Sequence, residues 1–278
     1  MSFEYTTPAI TKWKLDDYLE IIDQFEDVLA DSTHNKIYVG NDYQTILLHI
    51  AGKSILISRE ILTLCAHGYP DGALSLGRNL YEQMMIVAFF ELHKNDADFQ
   101  EYIDDFFLSY EVQRNGCLRA IANYISEENN DTLVKEREEL KKRTNRRIKG
   151  DYWWARCENF NDLVSRVMRE QNDEKMREFL GVHYARYKRA CVSLHASCMG
   201  NSNRIGHHTG FHIVDTSPTI YGQSTPLVYS AVSLLSIIGF VCKTFQIDSD
   251  KYIKQLNELA IYYQSEEKKD FEKTFEGE

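Results

Sequence analysis

Apolar side chains recur every three or four residues along most of this chain, and no other sequence feature constrains its fold more. In the first such segment these positions are Leu15, Leu19, Ile22, Phe25 and Leu29. This spacing places them on one face of an α-helix. Only 4 prolines and 14 glycines occur in 278 residues, which is too few for the many turns of a β sandwich or barrel. The sequence therefore predicts an all-α fold.

The helical pattern predicts a single large helical bundle of about eight helices. Its core spans about residues 12–264. A single domain is expected because no internal repeat or low-complexity linker divides the chain. Within this core, residues 126–150 are expected to form a charged insertion, and residues 265–278 a frayed tail. A long loop is expected near residues 200–225, where glycine, proline and hydroxyl side chains are concentrated. Loops of this length in a compact domain are often functional.

Composition limits the classes of function. The formal net charge of −10 argues against nonspecific coating of nucleic acid, although a local basic patch still allows RNA as a substrate. The N-terminal residues show no secretory signal, and the 6 cysteines have no CxxC spacing, so we expect a cytoplasmic protein with reduced thiols. The longest apolar run, 227–242, is shorter than the roughly 20 residues that cross a bilayer, so it predicts a buried core helix and no membrane partner.

The first unusual feature is a pair of charges in an apolar helix. Between Gly72 and Phe90 the only charged residues are Arg78 and Glu82. Because they are four residues apart, both side chains lie on one face of the helix and can contact each other or a shared partner. Burial of a charge is costly unless it is paired. Two interpretations remain open, a structural ion pair and a ligand-binding or active-site pair.

The second unusual feature is a lone histidine in an uncharged segment. His195 is the only titratable ring between Ala190 and Asn203, and Arg189 precedes it by six residues. Six helical residues rotate by about 600°, so the two side chains point about 120° apart unless the helix ends or bends near Ser193. A histidine can transfer protons near neutral pH and an arginine can hold a phosphate. A hydrogen-bonded core histidine is the alternative.

Two further sequence patterns concern the binding of RNA and of metals or cofactors. The run from Lys141 to Lys149 holds six cationic residues in nine, which fits either a solvated helix face or contacts to a phosphate backbone. Its candidate RNA-binding residues are Lys141, Lys142, Arg143, Arg146 and Arg147. Neither a metal nor a cofactor is predicted, because the chain contains no HExxH, Walker or GxGxxG motif.

Several of these residues resemble the motifs of a bacterial family known as domain of unknown function 5677. The first motif is similar to Ala66-x-Gly68 followed by Ala73, Leu76, Arg78, Leu80 and Glu82. The second resembles Tyr184-x-x-Tyr187 followed by Ser193-x-His195, with Trp153-Trp154 upstream. The resemblance extends over roughly residues 45–245.

That family is in turn distantly similar to helical ribonucleases of the HEPN class. This likeness implies a homodimer, metal-independent cleavage of RNA, and a role in toxin–antitoxin systems or anti-phage defence. The class pattern is an arginine followed four to six residues later by a histidine, which here gives Arg189 and His195. Ala190 departs from the pattern, because the class prefers a polar residue after the arginine.

Two hypotheses follow for the function. In the first, the protein is an endoribonuclease in which His195 transfers protons and Arg189 stabilises the phosphorane. Arg78 and Glu82 orient His195 or hold a phosphate, and Ser193 or Tyr187 supplies hydrogen bonds; a regulatory protein partner is also expected. In the second, the protein is a non-catalytic helical module that binds a partner protein or small ligand, with Arg78 and Glu82 as a structural pair.

Overall fold

A computed structural model describes residues 13–34, 41–125, 127–144, 148–194, 218–219, 222–248 and 250–276. Over these ranges the chain forms nine α-helices and one 3-10 turn, without a strand, which confirms the all-α prediction. In chain order these are α1 (Leu15–His34), α2 (Asp42–Ala66), α3 (Pro70–His93), α4 (Phe99–Ile125), α5 (Glu127–Arg143), the 3-10 turn (Trp153–Ala155), α6 (Phe160–Glu170), α7 (Glu174–Leu194), α8 (Ser224–Phe245) and α9 (Asp250–Glu276).

The chain divides into two compact units. The first contains Met1–Val87 together with Glu178–Glu278, and the second contains Ala88–Arg177. The single domain that the sequence predicts stays a prediction. Most of the long loop predicted near residues 200–225 lies outside the described residues, although α8 already begins at Ser224.

Helix α8 forms the centre of the first unit and packs against α2 and α9. It is the one described helix long and apolar enough to cross a membrane, but 78% of its most apolar window is buried inside the protein. One of its buried hydroxyls, that of Ser230, lies 2.9 Å from the Tyr18 hydroxyl on α1. This burial confirms the interpretation of residues 227–242 as a core helix.

The end of α2 is fixed by a glycine, as the sequence predicts. Gly68 has a φ of 80°, and its backbone N–H donates to the Cys65 carbonyl at 3.1 Å. The next N–H, of Tyr69, donates to the Leu64 carbonyl at 2.9 Å, which completes a Schellman motif. The Gly68 carbonyl accepts a hydrogen bond from the backbone N–H of Thr219 at 2.9 Å, so this turn also anchors the segment that precedes α8.

A polar network joins α7 to α9. The guanidinium of Arg186 contacts Glu267 through Nε at 3.0 Å and through Nη2 at 2.6 Å. Its Nη1 lies 3.1 Å from Nδ1 of His183, which is buried. Burial, and then the charge of Arg186, lower the pKa of His183 to about 3. The ring is therefore neutral and accepts from Arg186, holding that guanidinium toward Glu267.

The same region corrects the predicted tail. Residues beyond Gln264 were expected to fray, but α9 continues to Glu276. Besides Glu267, its last turns are anchored by Asp270, whose Oδ2 accepts a hydrogen bond from the Ser224 hydroxyl at 2.7 Å. Partners from α7 and α8 thus stabilise a segment whose own sequence has little apolar periodicity.

The second unit is built around an aromatic cluster. Trp154 stacks on Phe90 with a centroid distance of 5.3 Å and meets Phe89 and Phe106 edge-on. The predicted charged insertion lies in this unit, where α5 packs on α4. The Asn115 side chain on α4 donates to the Leu133 carbonyl at 2.9 Å, so the insertion is a packed helix over α5.

We expect Gly68→Ala to lower the free energy of unfolding by about 2 kcal/mol or more, because it combines a left-handed backbone with a backbone clash. A Cβ at Gly68 would lie 2.8 Å from the backbone nitrogen of Thr219. The control is Gly52→Ala on exposed α2 surface, where a Cβ meets nothing within 4 Å. That change should raise stability by roughly 0.5–1 kcal/mol. Urea denaturation measures both, and equal effects would contradict the role of Gly68.

We expect His183 to make the protein less stable in acid. Its folded pKa of about 3 lies below the unfolded value of 6.5, so its contribution is intact above pH 6.5 and is lost as the pH falls toward 3. As the pH falls through that window, the free energy of unfolding of wild type should decrease relative to that of His183→Asn. The change should be up to about 1.4 kcal/mol per pH unit. Denaturation at several pH values tests this, with the exposed His49→Asn as a control that leaves the slope unchanged.

Candidate functional site

Arg78 and Glu82 form the ion pair that their spacing predicts. The Nε of Arg78 donates to Oε1 of Glu82 at 3.1 Å. The side chain of Arg78 is 33% exposed and that of Glu82 is 22% exposed, so the pair lies at the boundary between core and solvent. A ligand can therefore reach both groups.

Tyr187 on α7 joins this pair from another helix. Its hydroxyl donates to Oε1 of Glu82 at 3.0 Å, and the guanidinium carbon of Arg78 lies 5.4 Å from the centre of its ring. Burial, and then the negative charge of Glu82, raise the pKa of the Tyr187 hydroxyl, which keeps it protonated as a donor. We call Arg78, Glu82 and Tyr187 the α3–α7 cluster.

Two further tyrosines, which the sequence interpretation missed, lie beneath the α3–α7 cluster. Tyr81 stacks on Tyr229 of α8 at a centroid distance of 5.4 Å and lies 5.6 Å from the ring of Tyr187. Gly77 allows this approach, because a Cβ there would lie 3.0 Å from Cδ1 of Tyr229. A tyrosine inside the apolar run 227–242 was the available signal, since a buried hydroxyl requires a partner.

The Tyr229 hydroxyl is a buried polar group with an unusual environment. Tyr229 is fully buried, and its hydroxyl has no hydrogen-bond partner within the part of the chain that the structure describes. Burial raises its pKa most, and the neighbouring Tyr81, Tyr187, Cys191 and Glu82 raise it further. The hydroxyl thus belongs electrostatically to the α3–α7 cluster and is protonated.

The α3–α7 cluster also leaves hydrogen-bonding atoms open. Among the described residues, the terminal Nη atoms of Arg78 contact no carboxylate, and Oε2 of Glu82 accepts no hydrogen bond. Arg186 shows the opposite arrangement, because Glu267 and His183 occupy its Nε and both Nη atoms. Arg186 is thus fully engaged within the fold. In the α3–α7 cluster, Arg78 bonds only Glu82 and Tyr187 among the described residues, and Oε2 of Glu82 has no donor among them.

The proposed catalytic residues are placed only in part. Arg189 is an exposed residue of α7, and α7 continues without a break to Leu194. Two helical residues rotate by about 200°, so Arg189 leaves α7 on the side opposite Tyr187. His195 and the side chain of Ser193 lie outside the described residues.

The basic run is largely engaged with carboxylates. Lys141 lies 2.6 Å from Glu138 and Lys142 lies 2.6 Å from Glu139, while Arg143 reaches Glu111 on α4 at 2.5 Å. These contacts favour a solvated helix face over a phosphate-binding surface for these three residues. Arg146 and Arg147 lie outside the described residues.

Within the described ranges, no group of three or more His, Cys, Asp or Glu side chains is arranged to hold a metal ion. The described part of the candidate site therefore consists of Arg78, Glu82, Tyr187 and the tyrosines beneath them.

Comparison with known proteins gives a family but no characterised relative. No curated protein and no solved structure matches the chain. A model described as Family of unknown function (DUF5677) matches residues 44–212, well over half of the 278 residues. The match ends before the limit near 245 expected from the sequence motifs, and it includes Arg78, Glu82, Tyr187, Arg189 and His195. The chain therefore belongs to the DUF5677 family.

Proposed function

We propose that this protein is a metal-independent endoribonuclease in which His195 transfers protons and Arg189 stabilises the reacting phosphate. The observation that carries the proposal is the hydrogen bond from Tyr187 to Glu82. It ties an accessible polar cluster on α3 to α7, the helix that carries Arg189 and whose last described residue immediately precedes His195. Helix α7 thus connects the cluster that is proposed to bind RNA with the residues that are proposed to cleave it.

The chemistry uses the RNA's own 2′-hydroxyl as the nucleophile. His195 removes the 2′ proton as the oxygen attacks the adjacent phosphorus, and a protonated histidine or water returns a proton to the departing 5′ oxygen. The bond from phosphorus to the 5′ oxygen breaks, which leaves a 2′,3′-cyclic phosphate. Arg189 offers several N–H donors in a fixed plane to the oxygens on which negative charge develops.

The spacing along α7 suits a chain-like substrate. Tyr187 and Leu194 are seven residues apart, which is about 10 Å along a helix axis. RNA held at the α3–α7 cluster therefore extends past the end of α7 when it follows the helix direction. Arg189 is exposed on the opposite side of α7, so RNA that contacts both the cluster and Arg189 passes around the end of the helix.

The resemblance of the sequence motifs to HEPN ribonucleases also suggests a cellular role for the protein. It suggests a homodimer in a toxin–antitoxin or anti-phage system, with a regulatory protein partner. One observation supports a protein partner: α4 carries Phe107, Tyr110 and Ile121 on one face, each exposed, with Tyr110 at 68%. Exposed apolar stripes of this kind mark protein-binding surfaces.

We expect purified protein to cleave RNA in the presence of EDTA, and His195→Ala to lose at least about a hundredfold of that activity, since general acid–base catalysis contributes this much. Cleavage is measured by gel electrophoresis, and circular dichroism checks that the variant folds. The matched control is His49→Ala, an exposed histidine on α2, which should retain full activity. Equal activity of His195→Ala and wild type would overturn the proposal.

We expect Arg189→Ala to reduce kcat by about a hundredfold to a thousandfold, because one donor to developing charge contributes this range. Lys188→Ala is the control, since it removes a neighbouring exposed cation from the same helix turn. If the two variants lose activity equally, with a stronger salt dependence of KM as the sole effect, Arg189 contributes only general charge and not stabilisation of the phosphorane.

A further inference from the structure

The charges of the α3–α7 cluster indicate which kind of ligand it can bind. Arg78 and Glu82 are in direct contact, so their charges largely cancel. A bound phosphate would gain from Arg78 but would be repelled by the open Oε2 of Glu82 in the same half-buried site. A neutral ligand avoids that repulsion and can use both groups. The cluster is therefore better matched to an uncharged polar group than to an anion.

The open atoms define the hydrogen bonds that such a ligand must make. Arg78 presents donors on its Nη atoms, and Glu82 presents an acceptor on Oε2, side by side because Nε and Oε1 are joined. A fitting ligand therefore carries acceptors next to donors on one planar edge.

An aromatic surface borders these atoms. The rings of Tyr184 and Tyr187 are almost parallel, with an interplanar angle of 10° and centroids 6.0 Å apart. Tyr184 is half-buried, with Tyr187 beside its ring and Nζ of Lys188 5.1 Å from the ring centre, so a base would stack there by displacing the flexible Lys188 side chain. Planar bases of single-stranded RNA stack on aromatic side chains of this kind. Hydrogen-bonding groups and a stacking surface together indicate a nucleobase.

We propose that the α3–α7 cluster binds guanine and thereby selects the RNA sequence that the protein recognises. Guanine has two adjacent acceptors, O6 and N7, beside two adjacent donors, N1–H and N2–H. Arginine characteristically binds the first pair, and a carboxylate accepts from the second. This inference rests on the proposed function, because it names the preferred base of the proposed RNA substrate.

The other bases fit less well. Uracil places a carbonyl on each side of its N3–H, so one acceptor faces the Glu82 carboxylate. Adenine offers the carboxylate only its exocyclic amino group and has a single acceptor, N7, beside it on its major-groove edge. Cytosine has an adjacent acceptor pair, O2 and N3, but only one amino group beside it, so it is the nearest competitor. Guanine thus differs from cytosine in placing two donors, N1–H and N2–H, beside its acceptor pair for the one oxygen of Glu82 that is not shared with Arg78 and Tyr187.

The test measures binding without cleavage. Fluorescently labelled five-nucleotide RNAs, identical except for G, A, C or U at the centre of a uridine context, are titrated with His195→Ala protein. The expected result is at least about tenfold tighter binding of the G oligonucleotide, since a bidentate contact to a base gives roughly 5- to 150-fold discrimination. Guanosine monophosphate should compete, whereas inorganic phosphate should not.

One variant, with two controls, connects this preference to the cluster. Glu82→Gln keeps the carbonyl that accepts from Tyr187 but places an amide donor toward guanine, so the preference should fall at least tenfold. Glu26→Gln, at the exposed contact with Arg59, is the matched control and should leave it unchanged. Tyr229→Phe removes a fully buried hydroxyl beneath the cluster and is a second control that should leave the preference unchanged.

Each outcome separates this inference from the proposed function. Equal affinity for the four RNAs, no binding of any of them, or a G preference unchanged in Glu82→Gln would overturn guanine recognition. Equal competition by inorganic phosphate would instead identify an anion site. If the wild-type protein prefers G but cleaves no RNA, the proposed ribonuclease function is wrong and guanine recognition stands. If it cleaves RNA without a preference for G, guanine recognition is wrong and the ribonuclease function stands.

Discussion

The hydrogen bond from the Tyr187 hydroxyl to Oε1 of Glu82 is the interaction on which the candidate site depends. Without it, Arg78 and Glu82 would be an ordinary i,i+4 pair on one helix, which stabilises a helix by only a few tenths of a kcal/mol. With it, one carboxylate oxygen accepts from two side chains on different helices. This fixes the orientation of Glu82, whose second oxygen accepts no hydrogen bond from the described residues. The aromatic ring of Tyr187 limits the positions open to Arg78.

The aromatic packing beneath Tyr187 stabilises the position of its hydroxyl relative to Glu82. Gly77 lets α3 approach Tyr229, and Tyr81 fills the space between Tyr229 and Tyr187. The aromatic rings are rigid and bury large areas, so they position the hydroxyl of Tyr187 at small entropic cost. The open atoms of the α3–α7 cluster are therefore held on a stiff base, which is the condition for selective recognition of a small planar group.

A comparison of two arginines separates stability from function in the first unit. Arg186 is enclosed by Glu267 and His183, which use its donors to join α7 and α9. Arg78 uses only Nε for its carboxylate partner. Both residues are helical cations of the first unit, and charge alone did not distinguish them. Their difference lies in what the neighbouring helices bring to them.

Local sequence was sufficient for most of the helices. The period of 3.6 residues and the stop at Gly68 and Pro70 depend on neighbours in the chain, so the sequence predicted α1 to α3 and the core helix α8 closely. The tail was predicted wrongly, because the helix there is anchored by Arg186 and Ser224 from distant parts of the chain. The basic run was ambiguous for the same reason, since Glu111, the partner of Arg143, lies on another helix.

The sequence by itself therefore determined the all-α class, the spacing that pairs Arg78 with Glu82, and the family to which the chain belongs. Only the tertiary structure decided that Tyr187, which is 105 positions away from Glu82, completes the cluster, and that Tyr229 lies beneath it. The physical reason is that helical periodicity tells which side of each helix is apolar but not which helix it meets. That choice depends on the packing of side chains from all of the helices at once, such as the contact of Gly77 with Tyr229.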